Sequence, residues 1–211
     1  MEAIKKIELN KVIKITLVTF FGTLLLAISA KIQTPLASVP VTMQTFAVLL
    51  LGMSFGYKIA TATVVLYLIE GALGMPVFAK GGGLIYFQGP TSGYLFGFII
   101  AAFFSGYFKI NLDPLLTFLK LVFSVSFIYF LGLIWLWINL NFYSGKEISL
   151  YGVFKIGAKP FLIIETYKIL ILTVLSTQIY KIRKFYSIQV FWINYYSFFY
   201  FENNFFCFNT T

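Results

Sequence analysis

Histidine is absent from the 211 residues, and cysteine occurs once, at Cys207. A Ser-His-Asp or Cys-His nucleophile needs an imidazole base, a disulfide needs a second thiol, and a His/Cys zinc site needs several ligands. One chain of this composition builds none of these. Acidic residues number only seven, too dispersed for a credible paired acid and base. There is no G-x-x-x-x-G-K-[ST] phosphate loop, and Gly81 to Gly83 do not form one, so nucleotide hydrolysis by that route is excluded. The residues point away from an enzyme, and no cofactor is expected.

Charge of either sign is also scarce. Charged residues make up 11% of the chain and hydrophobic ones 60%, far from the roughly one quarter and one half of an ordinary globular protein. Charge-free runs recur at Ile15–Ala30, Ile32–Tyr57, Gly81–Phe108 and Leu121–Gly145, each compatible with the about 17–25 residues of a bilayer-spanning helix. Ile59–Ala79, with Glu70, and Pro160–Tyr180, with Glu165 and Lys168, complete a set of six. The expected fold is an all-α integral membrane protein: a basic lead-in at residues 1–14, a six-helix domain at 15–182, and a tail at 183–211.

The net charge of +9 invites a nucleic-acid reading, but the lysines are scattered rather than clustered, and no nucleic-acid partner is expected. The positive-inside rule accounts for them better. With a cytoplasmic N-terminus, six spans place Lys5, Lys6, Lys11, Lys14, Lys58, Lys109, Lys120, Lys181, Arg183 and Lys184 inside, against Lys31, Lys80, Lys146, Lys155 and Lys159 outside. Both termini are therefore expected in the cytoplasm, with the first helix an uncleaved insertion signal.

Several segments carry further information. Pro35 and Pro40 mark a loop after the first helix. AKGGGLIYFQG, Ala79 to Gly89, suits a backbone that closely approaches another segment or a ligand. Gly93, Gly97, Ala101 and Ser105 recur every four residues, a spacing at which small side chains let helices pack tightly. Trp135 and Trp137 suit a membrane interface at the end of a helix spanning Leu115–Ile138. From Phe185 onward 13 of 27 residues are Phe, Tyr or Trp. That tail is read as biased, degenerate or frame-shifted sequence outside the six-helix fold, with a seventh helix as the hydropathy-based alternative.

Glu165 and Lys168 lie three positions apart on one helix face. Charges at such depth cost roughly 2.5–3.5 kcal/mol each and usually face a cavity or partner, so the pair is a candidate for binding polar groups of a solute. A self-neutralising structural pair is the competing reading. Glu70, near a helix end, has structural and functional readings of equal weight. Thr42, Gln44 and Thr45 could hydrogen-bond a ureido-like or amide ligand, or act as interhelical glue. Tyr86, Phe87 and Tyr94 could wall an apolar pocket.

Four blocks carry a resemblance: Ala27 to Gly52, AISAKIQTPLASVPVTMQTFAVLLLG; Tyr67 to Gly83, YLIEGALGMPVFAKGGG; Gly89 to Phe98, GPTSGYLFGF; and, more weakly, Pro160 to Lys168, PFLIIETYK. In order and spacing they resemble the BioY family, the biotin-specific substrate-binding (S) components of energy-coupling-factor transporters. The resemblance implies a six-helix S-component bundle in a bacterial inner (plasma) membrane, with biotin bound near the outer face under the loop Lys31–Val41 and close to Gly81–Gly89. It implies that Glu165, standing where the family usually has Asp, and Lys168 meet the ligand's polar groups. Lys31 stands where Gln is common. It further implies docking through a small-xxx-small pair, Thr23 and Ala27, onto a transmembrane coupling subunit that works with two ATPase subunits. A sibling component for another vitamin, and a non-transporting scaffold or remnant, are the alternative readings.

Overall fold

A computed structural model describes the backbone of residues 2–34, 39–108 and 113–207, and the side chains of residue 9 and of residues 12–34, 39–108 and 113–186. The chain is predominantly helical. α1 (Glu2–Lys31) leads through two short paired strands, β1 (Gln33–Thr34) and β2 (Val41–Thr42), into α2 (Gln44–Phe55) and α3 (Tyr57–Ala72). A 3-10 turn (Leu84–Gln88) precedes α4 (Ser92–Tyr107). α5 (Pro114–Ile138) ends in a π-helical turn (Asn139–Tyr143), and α6 (Leu150–Gly157) precedes α7 (Lys159–Cys207).

Three described stretches, Val12–Lys31, Pro114–Tyr143 and Lys159–Tyr186, are long and apolar enough to cross a membrane by length and composition. Their outward faces carry large apolar side chains such as Leu17, Phe130 and Val174, the pattern of a surface solvated by hydrocarbon rather than water. α2 is different. Its 12 residues reach only about 18 Å, short of the roughly 30 Å hydrocarbon thickness. Most of its side chains, including Val48, Leu49, Leu51 and Met53, are buried. α2 is thus an internal post, entered from β2, whose Val41 is buried, while the paired β1 is exposed.

α4 holds the bundle together through the expected stripe of small residues. A Cβ added at Gly97 would lie 2.6 Å from the Ile128 Cα, and one at Gly93 would lie 2.4 Å from the Trp135 Cβ, both on α5. Further along, Ser105 and Gly106 meet Gly52 of α2 and Tyr57 of α3 with the same closeness. One helix therefore docks on α5 with its first half and on the α2–α3 pair with its second. At its far end Arg183 of α7 donates to the carbonyls of Gly106 at 2.8 Å and Phe108 at 3.1 Å, which satisfies carbonyls left open at the C-terminus of α4.

Three boundaries differ from expectation. The lead-in at 1–14 is continuous with α1 from Glu2 onward, because those residues contain no Gly or Pro and many good helix formers. α7 likewise runs past Lys181, Arg183 and Lys184 to Cys207. Charges mark where a helix leaves lipid, not where hydrogen bonding stops. α6 lies between the helices expected at Leu115–Ile138 and Pro160–Tyr180, where no element is singled out from sequence. The side chains of the aromatic-rich stretch from residue 187 lie outside the described residues.

Replacing Gly97 with Val inserts atoms where α4 and α5 backbones touch. It should lower stability by about 1–3 kcal/mol, read as a lower midpoint of thermal unfolding in detergent. An unchanged midpoint would show that the contact is not made.

Candidate ligand-binding site

The chain entering α2 meets the first turns of α7, and this encounter builds the site. Glu165 and Lys168 are 4% and 3% exposed. The Lys168 ammonium donates to Glu165 Oε1 at 2.6 Å, to Thr45 Oγ1 at 2.9 Å and to the Thr42 carbonyl at 2.7 Å. All three of its protons are used. The Thr45 hydroxyl, having accepted from the lysine, donates to Glu165 Oε1 at 2.9 Å. Glu165 Oε1 therefore accepts twice, while Oε2 is buried and accepts from no protein group. A buried carboxylate oxygen without a hydrogen bond is costly, and among the described residues Oε2 is the oxygen of this network that makes none, with Tyr129 as a further polar neighbour of the carboxylate.

Glu165 lines a pocket formed between α2, α4, α5 and α7 and the segment that leads into α2. Apolar walls come from Val39, Pro40, Leu95, Phe98, Ile128 and Phe161, and polar groups from Thr42, Gln44, Thr45 and Thr91. Ala79 and three tyrosines, Tyr86, Tyr94 and Tyr129, complete the lining. Few polar groups set among many apolar ones is the pattern of a site for a mostly apolar solute with one polar end.

Second contacts hold these walls. The Gln44 amide donates to the Tyr67 hydroxyl at 2.8 Å and accepts from Thr42 Oγ1 at 3.1 Å; Tyr67 in turn donates to the Val77 carbonyl at 3.0 Å. Tyr94 donates to the Gly157 carbonyl at 2.9 Å. Around the cavity, Lys31 donates to the Phe78 carbonyl at 2.7 Å and Gln33 to the Ala79 carbonyl at 3.3 Å. Trp135 donates to Gly89 O at 2.8 Å and Asn139 to Gln88 O at 2.6 Å. The three-glycine run is used for a close approach within the chain: a Cβ at Gly82 would lie 2.0 Å from the Met75 carbonyl oxygen.

Of the residues singled out from sequence, Glu165, Thr42, Gln44, Tyr86 and Tyr94 line the cavity together. Lys168 stands behind Glu165, with its protons directed at protein acceptors. Glu70 is half-buried on α3 and is not in the cavity wall. Thr23 and Ala27 do not form an outward docking surface. Thr23 is 2% exposed, with its hydroxyl on the Phe20 carbonyl, and Ala27 is half-buried against the core. The exposed side of α1 carries Leu17, Phe20, Leu24 and Ile28 instead. Small residues at that spacing report close packing, and here the close neighbours belong to the same bundle. Tyr129 and Thr91 were not anticipated: one more tyrosine among 14 carries no signal, and Thr91 is visible only as a polar residue ahead of α4.

The BioY family model matches residues 3–185. The chain belongs to the BioY family. The match covers most of the chain and ends inside α7, where the aromatic-rich stretch begins. The biotin transporter BioY of Thermotoga maritima is 34% identical over 164 residues, covering 76% of this chain and 92% of that protein. The probable biotin transporter BioY of Pyrococcus horikoshii is 32% identical over 156 residues, covering 74% and 88%. A crystal structure of the S-component for biotin from an ECF-type ABC transporter superposes with a TM-score of 0.70 at 23% identity, over 82% of this chain and 93% of that one. The fold of that S-component is thus shared.

Lys168→Met should strand the Glu165 carboxylate and cost about 3–5 kcal/mol. The double variant Glu165→Gln, Lys168→Met, which removes both charges, should regain much of that loss. Thermal unfolding of the two proteins in detergent tests this; equal midpoints would mean that the ion pair does not operate as described.

Proposed function

We propose that this BioY member is the substrate-binding subunit of an energy-coupling-factor importer and that it takes biotin into the cavity beside Glu165. The observation that carries the reading is the buried, unpaired Glu165 Oε2 on the wall of that cavity. A cyclic urea supplies the missing partner: its N–H groups donate and its carbonyl accepts. An N–H at Oε2 would complete the carboxylate, while Gln44, Thr42 and Thr91 are within the lining to meet the remaining polar atoms. The fused sulfur ring and aliphatic chain would lie against Phe98, Ile128, Leu95 and Phe161. The names of the two relatives support biotin over other vitamins.

In this reading Lys168 is a positioning residue that neutralises Glu165 and orients its free oxygen. Six helices, α1 to α5 and α7, make up the bundle embedded in the plasma membrane, with α2 as its short internal post. Both termini are cytoplasmic, the cavity opens outward beneath Val39 and Pro40, and a separate transmembrane coupling subunit with two ATPases drives release. Residues 183–211 lie outside the binding domain, in keeping with a family match that ends at residue 185.

Titration of the detergent-purified chain with biotin should give a stoichiometry near one per chain, and riboflavin or thiamine should not compete. Glu165→Gln should weaken binding about ten- to a hundredfold, the range for a hydrogen bond to a charged group. A chain ending at residue 186 should bind as the full chain does. Displacement by another vitamin would transfer the reading to a different nutrient, and a folded preparation that binds none would refute it.

A further inference from the structure

Between the two longest spans lies a helix that is apolar on two sides. The spans run Pro114–Tyr143 and Lys159–Tyr186, so residues 144–158 sit where the chain leaves the bilayer and enters it again. α6 fills half of that segment. Its eight residues reach about 12 Å, too short to cross. It is a properly capped helix, with Ser149 Oγ accepting from the Gly152 N–H at 3.2 Å. Its inner side is fixed to the bundle: Val153 and Gly157 are buried, and Gly157 O takes the Tyr94 hydroxyl.

The other side of α6 presents Leu150 at 73% exposure and Tyr151 at 74%, with Phe154 also exposed. On a helix facing bulk water these positions would be polar. Lys155 shares this exposed side and Lys146 and Lys159 flank it, all exposed, against the single exposed carboxylate of Glu147. Bulky apolar side chains bordered by lysines, on a short helix held at the level of two span ends, match the composition of helices that lie in a lipid interface. The lysines match phosphate-bearing anionic headgroups.

We propose that α6 is an interfacial anchor: Leu150, Tyr151 and Phe154 enter the boundary between headgroups and acyl chains, and Lys146, Lys155 and Lys159 hold anionic headgroups. A second protein is disfavoured by position, since lipid already surrounds the span ends on either side. Because Gly157 at the end of α6 holds Tyr94, a wall of the cavity, the anchor also fixes the site at the depth of the membrane surface. The proposal rests on the bundle spanning a bilayer and is independent of which solute it binds.

The test uses the full chain with Cys207→Ser, spin-labelled singly at Tyr151→Cys, Phe154→Cys, Ser144→Cys or Val122→Cys. The protein is reconstituted in vesicles of phosphatidylcholine alone or of equimolar phosphatidylcholine and phosphatidylglycerol. Labels at 151 and 154 should be reached by oxygen and shielded from a water-soluble nickel chelate, like the lipid-facing position 122 and unlike 144. Lys155→Gln and Lys159→Gln should each reduce the preference for spin-labelled phosphatidylglycerol over phosphatidylcholine by up to about fivefold. Nickel access at 151 and 154 with position 122 protected would overturn the anchor alone. Nickel access at 122 as well would overturn the membrane-spanning reading with it. Labels at 151 and 154 shielded from both reagents would mean that protein, such as a second copy, covers this face.

Discussion

One carboxylate and one ammonium share a hydrogen-bond cluster deep in an apolar bundle, and the local architecture follows from keeping that cluster closed. Removing two charges from water costs more than their attraction returns unless the remaining protons and lone pairs are satisfied. Lys168 achieves this with three acceptors, two of them, Thr45 Oγ1 and Thr42 O, on the chain entering α2. α2 must therefore begin beside the first turns of α7, deep within the protein. Its shortness, its burial and its non-helical approach through β1 and β2 are consistent with that requirement. Only Glu165 Oε2 is left over, and it belongs to a side chain in the cavity wall.

Irregular backbone within a membrane-embedded bundle needs partners for its own polar groups. Around the cavity, side chains from distant elements supply them. Lys31 and Gln33 serve the turn at Phe78 and Ala79, Trp135 and Asn139 serve Gly89 and Gln88, and Ser92 Oγ serves the Phe87 carbonyl at 2.6 Å. All but the local Ser92 bond are long-range ties between otherwise separate loops, so the cavity end is a connected wall. At the opposite end Arg183 does comparable work for the C-terminus of α4. Between the ends, Gly93, Gly97, Ser105 and Gly106 bring α4 against its neighbours closely enough to leave lipid no path inward.

Much of this is written locally. The apolar runs locate α1 to α5 and α7, Asp113–Pro114 is a helix start that the Asp113 side chain caps, and the four-residue period of small side chains names the packing face of α4. The i, i+3 spacing of Glu165 and Lys168 puts both on one side of α7. Other features depend on partners remote in sequence. Nothing near Lys168 says that all its protons are taken by groups more than a hundred residues away as well as by Glu165. Tyr129 is indistinguishable from other tyrosines until α5 docks. Thr23 and Ala27 show close-packing chemistry without saying against what. The lysines after Tyr180 suggest an end because charge and helix termination coincide so often, although hydrogen bonding in α7 continues unbroken. α6, eight residues long, gives too short an apolar run to stand out from sequence.

A structure of the chain with biotin bound, resolved well enough to place the ureido atoms, tests this arrangement most directly. A ureido N–H should lie within hydrogen-bonding distance of Glu165 Oε2, with Lys168 still donating to Oε1. Biotin lodged outside the cavity, with Oε2 either empty or occupied by a protein donor, would contradict it.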